Sequence, residues 1–514
     1  MSQAARASCE ADRGLDLDSP PSSVENRGRS VAEAAGEVFN PAGLRVHMIG
    51  IGGCGMRGAA RVLMRAGAAV SGSDRKESSA LALLSEQGVD IHIGSKPSHL
   101  PDQCDMVVHS AAVKESDPEM AEAVRRGVRI VKYSQLLGLL MSRKMGIAVG
   151  GTHGKSTTTA MITYVLREAG LDPSFVIGAG VEQLGGGSGV GDGDQFVVEA
   201  CEYDRSFHNL RPRCAILLNV DEDHLDYYSG IDEIISSFHD FAKLVPADGL
   251  LVVNGEDQNA LEAVANSKAT IETFGCQNLF DWRAEIIDTR NGSYRFKVLR
   301  KGQPLTEITP GIPGRHNVMN ALAATAVCFY CGVRPDVIAG ALAAFRGAYR
   351  RMTPRGSIGG VTVLDDYAHH PREIQATLRT VREYYSPRKL YVVFQPHQHS
   401  RTRFLLNDFA KSFGSADVVI VPDIYFVRDS ESERELIDAK DLVDLIRLRE
   451  GDARYEADFG AIARMLCDEV GPGDVVITMG AGNVWQVADS VLAGLAGERQ
   501  EGDPFVAMGD RADH

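Results

Sequence analysis

The 514-residue sequence has no excess of positive charge. Its 54 Lys and Arg residues stand against 69 Asp and Glu residues, which gives a formal net charge of −15. Proteins that bind DNA or RNA without sequence preference depend on clustered Lys and Arg side chains. We therefore expect no nucleic-acid partner.

Long apolar runs are also missing. No stretch reaches the roughly 18 uninterrupted apolar residues that suggest a membrane-spanning helix, and the richest run, residues 321–333, is typical of a buried helix. The N-terminus carries Arg6, Asp12 and Arg13 with no apolar segment behind them, so we expect no secretory signal. These absences predict a cytoplasmic protein that has no membrane partner.

The nine cysteines are scattered along the chain and show no spaced framework. Such an arrangement favours free thiols in a reducing compartment. Cys328 and Cys331 have C-x-x-C spacing, but a structural zinc site needs four ligands, and no second pair or His lies nearby. We expect these two residues to pack in a core.

From Leu44 to about residue 490, strand and helix patterns alternate. Such alternation predicts an α/β protein in which helices cover parallel sheets, and at about 100–200 residues per domain the length suggests three domains. The strongly charged segment 430–456 predicts one solvated helix. The predicted divisions are a disordered tail at 1–43 and domains at 44–143, 144–348 and 349–514.

The first glycine-rich turn reads G-I-G-G-C-G at residues 50–55, directly after an apolar strand. It satisfies G-x-G-x-x-G, and Asp74 ends the next strand about 20 residues later, where a ribose partner would lie. The glycines allow a diphosphate to approach the positive end of a helix. Any nucleotide diphosphate meets this requirement, so a nicotinamide site and a purely structural turn both stay open.

The second glycine-rich turn, G-G-T-H-G-K-S-T-T-T at residues 150–159, joins an apolar strand to a helix. Backbone N–H groups from Gly151 to Thr157, with Thr152, His153 and Gly154 between them, would surround phosphate oxygens. Lys155 would bridge the terminal phosphates and the Ser156 hydroxyl would bind Mg²⁺. The strict G-x-x-x-x-G-K-[ST] pattern fails at Val149, yet the order of strand, loop and helix predicts a Mg–ATP site.

Two candidate metal ligands follow later strands. Glu199 comes directly after the apolar residues 196–198, and His224 lies in the segment N-V-D-E-D-H-L-D that follows another apolar run. The carboxyl ends of parallel strands face one crevice, so Glu199 is the leading Mg²⁺ ligand, with a solvated carboxylate as the alternative. His224 could hold a second Mg²⁺, although a lone His is more often structural.

Taken together, these motifs resemble the Mur ligases of peptidoglycan synthesis from Leu44 to about Ala493. The likeness is greatest to the branch that joins L-alanine to UDP-N-acetylmuramate. The shared motifs are G-T-H-G-K-S-T-T-T at 151–159, E-A-C-E-Y-D-R-S-F at 199–207, N-V-D-E-D-H-L-D-Y at 219–227, P-G-R-H-N-V-M-N-A at 313–321, D-D-Y-A-H-H-P at 365–371 and Q-P-H at 395–397.

The resemblance implies Rossmann-like N- and C-terminal domains around a central P-loop ATPase domain. It assigns the first turn to a UDP-sugar, and Lys155, Glu199, His224 and Arg401 to catalysis. Ser156, Glu199 and His224 would hold metal. The implied UDP-sugar contacts are Gly52, Gly53, Gly55, Asp74 and Ser110. The implied adenine-side and hinge contacts to the nucleotide are His316, Asn317, Asn320 and Arg350 or Arg351.

In the C-terminal domain the resemblance makes Tyr367, His369 and His370 substrate contacts, and Arg401 the main cation for the amino-acid carboxylate or the acyl intermediate. A bidentate guanidinium suits that role. The chain departs from the family pattern at Cys201, where the family has Asp, and at Gln398, where it usually has Arg. If the family's Asp orders the metal shell, Glu202 or water must replace it here.

The implied activity is an ATP-dependent amide ligase that uses Mg²⁺ and forms an acyl phosphate of UDP-N-acetylmuramate, which L-alanine attacks. We expect a monomer or weak homodimer. The alternatives are a recycling ligase that joins a tripeptide to the same UDP-sugar, a nucleotide-sensing binding protein and a nicotinamide oxidoreductase.

Overall fold

The computed structural model describes residues 39–427 and 429–497. Most of the predicted tail therefore lies outside the described residues. Residues 39–43 lie against the first domain, where Gly43 N donates to Gly67 O at 2.8 Å. Among the residues described, no helix combines the length and the apolar character that crossing a membrane requires.

Within the described ranges the chain forms three sheets of five, ten and six strands, one inside each predicted domain range. The α/β prediction with three domains is confirmed, whereas the boundaries near 143 and 348 stay predictions. All eight described cysteines are free thiols, and Cys328 is buried in a helix, as expected for core packing.

The first sheet is parallel throughout, in the order β3-β2-β1-β4-β5. Successive side chains point to opposite faces, and β1 is buried from Val46 to Ile49, so both faces of this strand are covered. Its strands are β1 Arg45–Ile49, β2 Ala69–Asp74, β3 Asp90–Ile93, β4 Met106–His109 and β5 Arg129–Lys132, and its helices are α1 Cys54–Arg65, α2 Ser79–Glu86, α3 Pro118–Arg126 and α4 Tyr133–Met141.

The central sheet has the order β15-β14-β13-β12-β11-β10-β6-β9-β7-β8, parallel from β13 to β7 and antiparallel at both edges. Its strands are β6 Met145–Gly150, β7 Ser174–Val176, β8 Ser188–Gly189, β9 Gln195–Glu199, β10 Cys214–Leu217, β11 Leu250–Asn254, β12 Thr270–Gly275, β13 Trp282–Arg290, β14 Ser293–Arg300 and β15 Gln303–Ile308. Its helices are α5 Lys155–Glu168, α6 Ile231–Ala242, α7 Gln258–Val264, α8 Arg315–Tyr330 and α9 Pro335–Ala344.

The third sheet has the order β16-β17-β21-β18-β19-β20, and only its β16–β17 pair is antiparallel among the described pairings. Its strands are β16 Thr353–Ile358, β17 Val361–Asp366, β18 Leu390–Phe394, β19 Val418–Val421, β20 Ala453–Tyr455 and β21 Val475–Met479. Its helices are α10 Pro371–Tyr385, α11 His399–Phe404, α12 Leu406–Lys411, α13 Glu431–Arg434, α14 Ala439–Arg447, α15 Phe459–Glu469 and α16 Trp485–Leu495.

The prediction of one solvated helix over 430–456 is wrong. The segment forms α13, α14 and the edge strand β20. Its charges conceal an apolar stripe, because Leu442, Val443 and Ile446 are buried on one face of α14. Residues spaced by three and four positions share a helix face, so this helix packs on the core despite its charge.

In the part of the chain that the structure describes, the buried apolar clusters join the first two domains but not the third. One cluster includes residues from both the first and the central sheet, from Val46 to Ala269. In the described residues, the clusters of the third domain contain buried residues from Val361 to Val491 and none from the central domain. The first two domains thus share a core, whereas the third has cores of its own.

Candidate active site

The second glycine-rich turn connects β6 to α5 at the carboxyl edge of the central sheet. β6 lies between β9 and β10, which is the point where strand order reverses and where α/β sheets bind ligands. Gly154 begins α5 with φ +85°, a conformation that favours glycine. A Cβ there would also lie 2.7 Å from Asn320 Oδ1, so the loop packs closely on α8.

Lys155 Nζ lies over this loop. It donates to Gly151 O at 2.6 Å, to Thr152 O at 2.9 Å and to Glu202 Oε1 at 2.9 Å. Burial acts to lower the pKa of Lys155, but Glu202 and the other neighbouring anionic groups, Glu199 among them, together raise it. Lys155 is therefore a cation that three hydrogen bonds hold beside the loop that is expected to bind phosphate.

Ser156 and Glu199 form a pair of oxygen donors beside Lys155. Ser156 Oγ donates to Glu199 Oε1 at 3.1 Å, and Gly178 N donates to Glu199 Oε2 at 2.6 Å. Hydroxyl and carboxylate oxygens are what Mg²⁺ prefers. This donor set fits the predicted metal, and β9 and the loop after β6 bring it together.

His224 lies on the other side of Glu202. Its Nε2 is 3.5 Å from Glu202 Oε1, and its backbone has φ +54°. Glu202 is buried, and its Oε2 has no hydrogen-bond partner among the residues that the structure describes. Lys155 and His224 both contact Oε1, so the buried Oε2 is the atom of Glu202 that is suited to bind a second cation. Sequence reasoning raised Glu202 only as a replacement at Cys201, although its position three residues after Glu199 in the motif was a usable signal.

A cavity of about 480 Å³ opens beside the loop. His316, Asn317 and Asn320, all from the start of α8, line one wall, and His153, Gly154 and Thr157 line another. Asn320 Nδ2 donates to Asn317 Oδ1 at 3.0 Å, which fixes the two amides relative to each other. The predicted phosphate loop and the predicted adenine-side residues thus face one space.

The structure distinguishes Arg350 from Arg351. Arg351 lines the cavity, and its Nη2 is 3.4 Å from Ser156 Oγ. Arg350 instead donates from Nε to Asp365 Oδ2 at 3.0 Å and from Nη2 to Gly480 O at 2.6 Å. Of the two alternatives, Arg351 therefore has the geometry to reach a nucleotide.

Asp366 and Glu373 also line this cavity and were not among the predicted site residues. Burial raises the pKa of Asp366 to about 6, and the carboxylate accepts from Met352 N at 2.6 Å and Ala368 N at 2.7 Å. Asp366 belongs to the D-D-Y-A-H-H-P motif and could have been inferred from it, whereas Glu373 lies two residues beyond it.

His153 joins the phosphate loop to the third domain. Its Nδ1 is 3.2 Å from Glu373 Oε1 on α10, and its Nε2 is 3.5 Å from Asp221 Oδ2. Burial acts to lower the pKa of His153, but the two carboxylates raise it to about 9. The imidazole is therefore protonated at neutral pH and bridges two acids from different domains.

The remaining predicted substrate contacts lie close by in the third domain. His369 Nδ1 is 3.1 Å from Tyr367 O and 3.5 Å from Glu373 Oε2, and burial lowers the pKa of His369 to about 4. Tyr367 lies under both hinge guanidinium groups, with Arg351 Cζ 5.2 Å from its ring centre. Because its pKa is lowered to about 4, His369 is neutral at pH 7.

Arg401 is buried and paired. It donates to Asp223 Oδ1 from Nε at 3.1 Å and from Nη2 at 2.6 Å. Burial acts to raise the pKa of Asp223, but Arg401, the largest of several neighbouring contributions, helps to hold it well below its usual range. The predicted substrate cation therefore has its charge balanced by a central-domain carboxylate.

A second group of potential metal ligands lies where these domains meet. Ligand atoms of His153, Asp221 and His370 all lie within 4.8 Å of one another. His370 Nε2 is, however, 3.1 Å from Glu222 O, its Nδ1 accepts from Arg372 N at 3.3 Å, and Arg372 Nε is 2.8 Å from Asp221 Oδ2. A guanidinium already neutralises the carboxylate, so these residues serve as a contact between domains.

The carboxylate of Asp74 bonds to the backbone of the first glycine-rich turn. Gly52 N donates to Asp74 Oδ2 at 2.8 Å, and Arg75 N donates to Asp74 Oδ1 at 2.7 Å. Gly53 precedes α1 as its N-cap, and a Cβ on Gly55 would collide with the hydroxyl of Tyr133. Ser110 lies at the same edge of the sheet, because Ser110 N donates to Ile49 O at 3.1 Å. The predicted UDP-sugar residues therefore surround one helix N-terminus, with Asp74 already bonded to the turn.

Comparison with known proteins places these sites in context. The chain matches three family descriptions: "Mur ligase family, catalytic domain" over residues 45–145, "Mur ligase middle domain" over 149–328 and "Mur ligase, glutamate ligase domain" over 350–482. It is 41% identical to the UDP-N-acetylmuramate–L-alanine ligase of Caldanaerobacter subterraneus, an alignment that covers 87% of this chain and 97% of the relative. It is also 41% identical to the protein of the same name from Geobacter sulfurreducens, over 89% of this chain and 98% of the relative.

Among solved structures, the UDP-N-acetylmuramate-alanine ligase of Thermotoga maritima is similar with a TM-score of 0.73 at 27% identity, covering 89% of this chain and 100% of that one. A murein peptide ligase from Psychrobacter arcticus is similar with a TM-score of 0.67 at 26% identity, over 90% of this chain and 100% of that one.

Proposed function

The chain belongs to the Mur ligase family, and from this premise we propose that it is an ATP-dependent ligase that joins L-alanine to UDP-N-acetylmuramate in peptidoglycan synthesis. The observation that carries the proposal is one arrangement of side chains. Lys155 bonds to Glu202 and Ser156 bonds to Glu199, next to a cavity that is lined by Gly154 and Thr157 of the same loop and by Arg351 and Glu373 of the third domain. This arrangement combines groups suited to bind phosphate and metal with side chains from the third domain.

A carboxylate is a poor electrophile, and transfer of the γ-phosphoryl group of ATP onto it removes that obstacle. The lactyl carboxylate of UDP-N-acetylmuramate attacks the γ-phosphorus, ADP leaves, and an acyl phosphate forms. The amine of L-alanine then attacks the acyl carbon, and the tetrahedral intermediate expels inorganic phosphate as the amide forms. Lys155 holds the phosphates during the first transfer, because its ammonium lies over the loop that binds them.

Ser156, Glu199 and His224 are the proposed metal ligands, and Glu202 lies beside His224. Mg²⁺ bound there supplies neutralising charge for phosphoryl transfer. Lys155 and Glu202 are already 2.9 Å apart, so the protein provides a cation and an anion that are fixed before substrates arrive. Electrostatic groups held in place in this way need no reorganisation during the reaction.

The nucleotide occupies the cavity in this proposal, with His316, Asn317 and Asn320 on the adenine side and Arg351 near the phosphates. The UDP part binds at Gly52, Gly53, Gly55, Asp74 and Ser110, where the N-terminus of α1 favours a diphosphate.

L-alanine binds beside Tyr367, His369, His370 and Arg401. The acyl phosphate must be kept from water, and the third domain provides the cover because it has its own apolar cores and can move as a unit.

The decisive experiment measures inorganic phosphate release with ATP, Mg²⁺ and UDP-N-acetylmuramate, and with L-alanine, glycine, L-serine or the tripeptide of the recycling reaction in turn. We expect the highest kcat/KM for L-alanine, and no release without an amino acid. Preference for the tripeptide would favour the recycling ligase. Amino-acid-independent binding of nucleotide alone would favour a sensing protein, and fluorescence titration with NADPH tests the oxidoreductase alternative. Light scattering of the purified chain tests the predicted monomer or weak homodimer.

A further inference from the structure

The third domain contacts the central domain through a short acidic segment. We define residues 221–223, Asp-Glu-Asp, as the docking segment. Because the apolar clusters of the two domains are separate, polar contacts here have a large part in setting how the domains meet.

Each residue of the docking segment meets a different side chain of the third domain. Asp221 Oδ2 is 2.8 Å from Arg372 Nε, and Glu222 O is 3.1 Å from His370 Nε2. Asp223 Oδ1 accepts from Arg401 Nη2 at 2.6 Å. Three consecutive residues therefore contact the start of α10 and the helix α11.

The same segment is tied to the catalytic groups of the central domain. Asp221 N donates to Thr152 Oγ1 in the phosphate loop at 2.9 Å. Asp223 Oδ1, the oxygen that accepts from Arg401, also accepts from His224 N at 2.7 Å. Asp221 therefore connects Arg372 of the third domain to the phosphate loop, and Asp223 connects Arg401 to the backbone of His224, a proposed metal ligand.

The Asp223–Arg401 pair makes docking sensitive to geometry. Both side chains are at most 8% exposed. A buried charge that loses its partner is strongly unfavourable, so the pair is compatible with one docked arrangement and opposes partial ones. His224 adopts a left-handed backbone conformation, which a non-glycine residue holds only when its surroundings impose it.

From these contacts we propose that Asp221 and Asp223 are positioning residues, which bind Arg372 and Arg401 of the third domain and thereby hold the phosphate loop and His224 in the reactive arrangement. This inference rests on the ligase function proposed above. In this role Asp221 and Asp223 affect kcat through the phosphate loop and His224, without contacting the substrate themselves.

The test uses the full chain with Asp223→Asn, Asp221→Asn and Arg372→Gln, and with Asp240→Asn as the matched control. Asp240 is an exposed central-domain carboxylate paired with Lys243 on α6. We measure kcat, KM for each substrate, the Kd for ADP and Tm. We expect Asp223→Asn to lower kcat on the order of 100-fold, as a misplacement of catalytic groups of about 1 Å does, with KM for UDP-N-acetylmuramate near the control value. Tm should fall, because the buried Arg401 is left without its partner.

Arg372 is 65% exposed on its side chain, so Arg372→Gln tests the docking contact with little risk to folding. We expect Arg372→Gln and Asp221→Asn each to lower kcat, and the double variant to be no worse than Asp221→Asn alone, because that variant has already lost the contact that Arg372→Gln removes. Independent, multiplying losses would overturn the assignment. Wild-type kcat in Asp223→Asn, or an unchanged kcat with only a raised KM for UDP-N-acetylmuramate, would do so as well.

Small-angle scattering in the presence of ADP separates this inference from the function. We expect a larger radius of gyration for Asp223→Asn than for wild type and the control, and an unchanged radius contradicts docking through this residue. If wild type instead shows no L-alanine-dependent phosphate release, the proposed function fails, and the scattering result still decides the docking role.

Discussion

Replacing Lys155 by Ala removes the cation of the phosphate loop and leaves Glu202 without its ion-pair partner. Glu202 is 3% exposed, and its Oε1 bonds to Lys155 at 2.9 Å. Breaking a buried pair from one side costs about 3–5 kcal/mol, and His224 at 3.5 Å partly compensates, so we take about 3 kcal/mol. For a domain of about 150–250 residues, that loss lowers Tm by about 6–12 °C.

The assay pairs thermal unfolding with phosphate release and with UDP-N-acetylmuramate binding by calorimetry. We expect phosphate release to be abolished, the Tm to fall, and UDP-sugar binding to stay near wild type, because the residues proposed to bind the UDP-sugar lie on the first domain. Lys243→Ala, which removes an exposed lysine of the same domain, is the control. Equal loss of UDP-sugar binding would refute the assignment of separate sites, and an unchanged Tm would refute the argument about the buried pair.

Other changes probe the same site. Gly154→Ala should abolish ATP binding, measured by calorimetry, because the residue has φ +85° and its new Cβ would lie 2.7 Å from Asn320 Oδ1. Glu199→Gln should raise the Mg²⁺ concentration needed for half-maximal phosphate release, and an unchanged Mg²⁺ dependence would remove Glu199 from the metal site. The pKa of His153 is raised to about 9 in the folded state, so its contribution to stability is complete below about pH 6.5 and is lost as the pH rises through 9. His153→Gln should therefore reduce the fall in unfolding free energy between pH 6.5 and 9.5, measured by urea titration at each pH.

Local motifs were enough to find most of the candidate site. The strand, loop and helix around Lys155 follow from apolar residues, glycines and a Gly-Lys-Ser sequence that are contiguous in the chain. Glu199 followed from the rule that parallel strands end at one edge, and it does lie 3.1 Å from Ser156 Oγ. Such inferences succeed because the interactions that decide them are short in sequence or are set by sheet topology.

Contacts between domains could not be found in this way. Glu373 lies 220 residues from His153, and nothing in its own surroundings indicates that it would bind the phosphate loop. The choice between Arg350 and Arg351 depended on which guanidinium meets Asp365, and the charged α14 concealed its buried face. In each case the outcome depends on contacts that form only in the folded chain.

The sequence by itself determined the α/β architecture, the phosphate loop and the family, because periodicity, turn residues and ordered motifs are properties of contiguous residues. Only the tertiary structure decided that Arg401 pairs with Asp223 and that Asp74 accepts a hydrogen bond from Gly52 in the first glycine-rich turn. It also decided that residues 221–223 contact the third domain. The physical reason is that an ion pair depends on the distance between two charges in space, and folding, which a linear pattern does not describe, sets that distance.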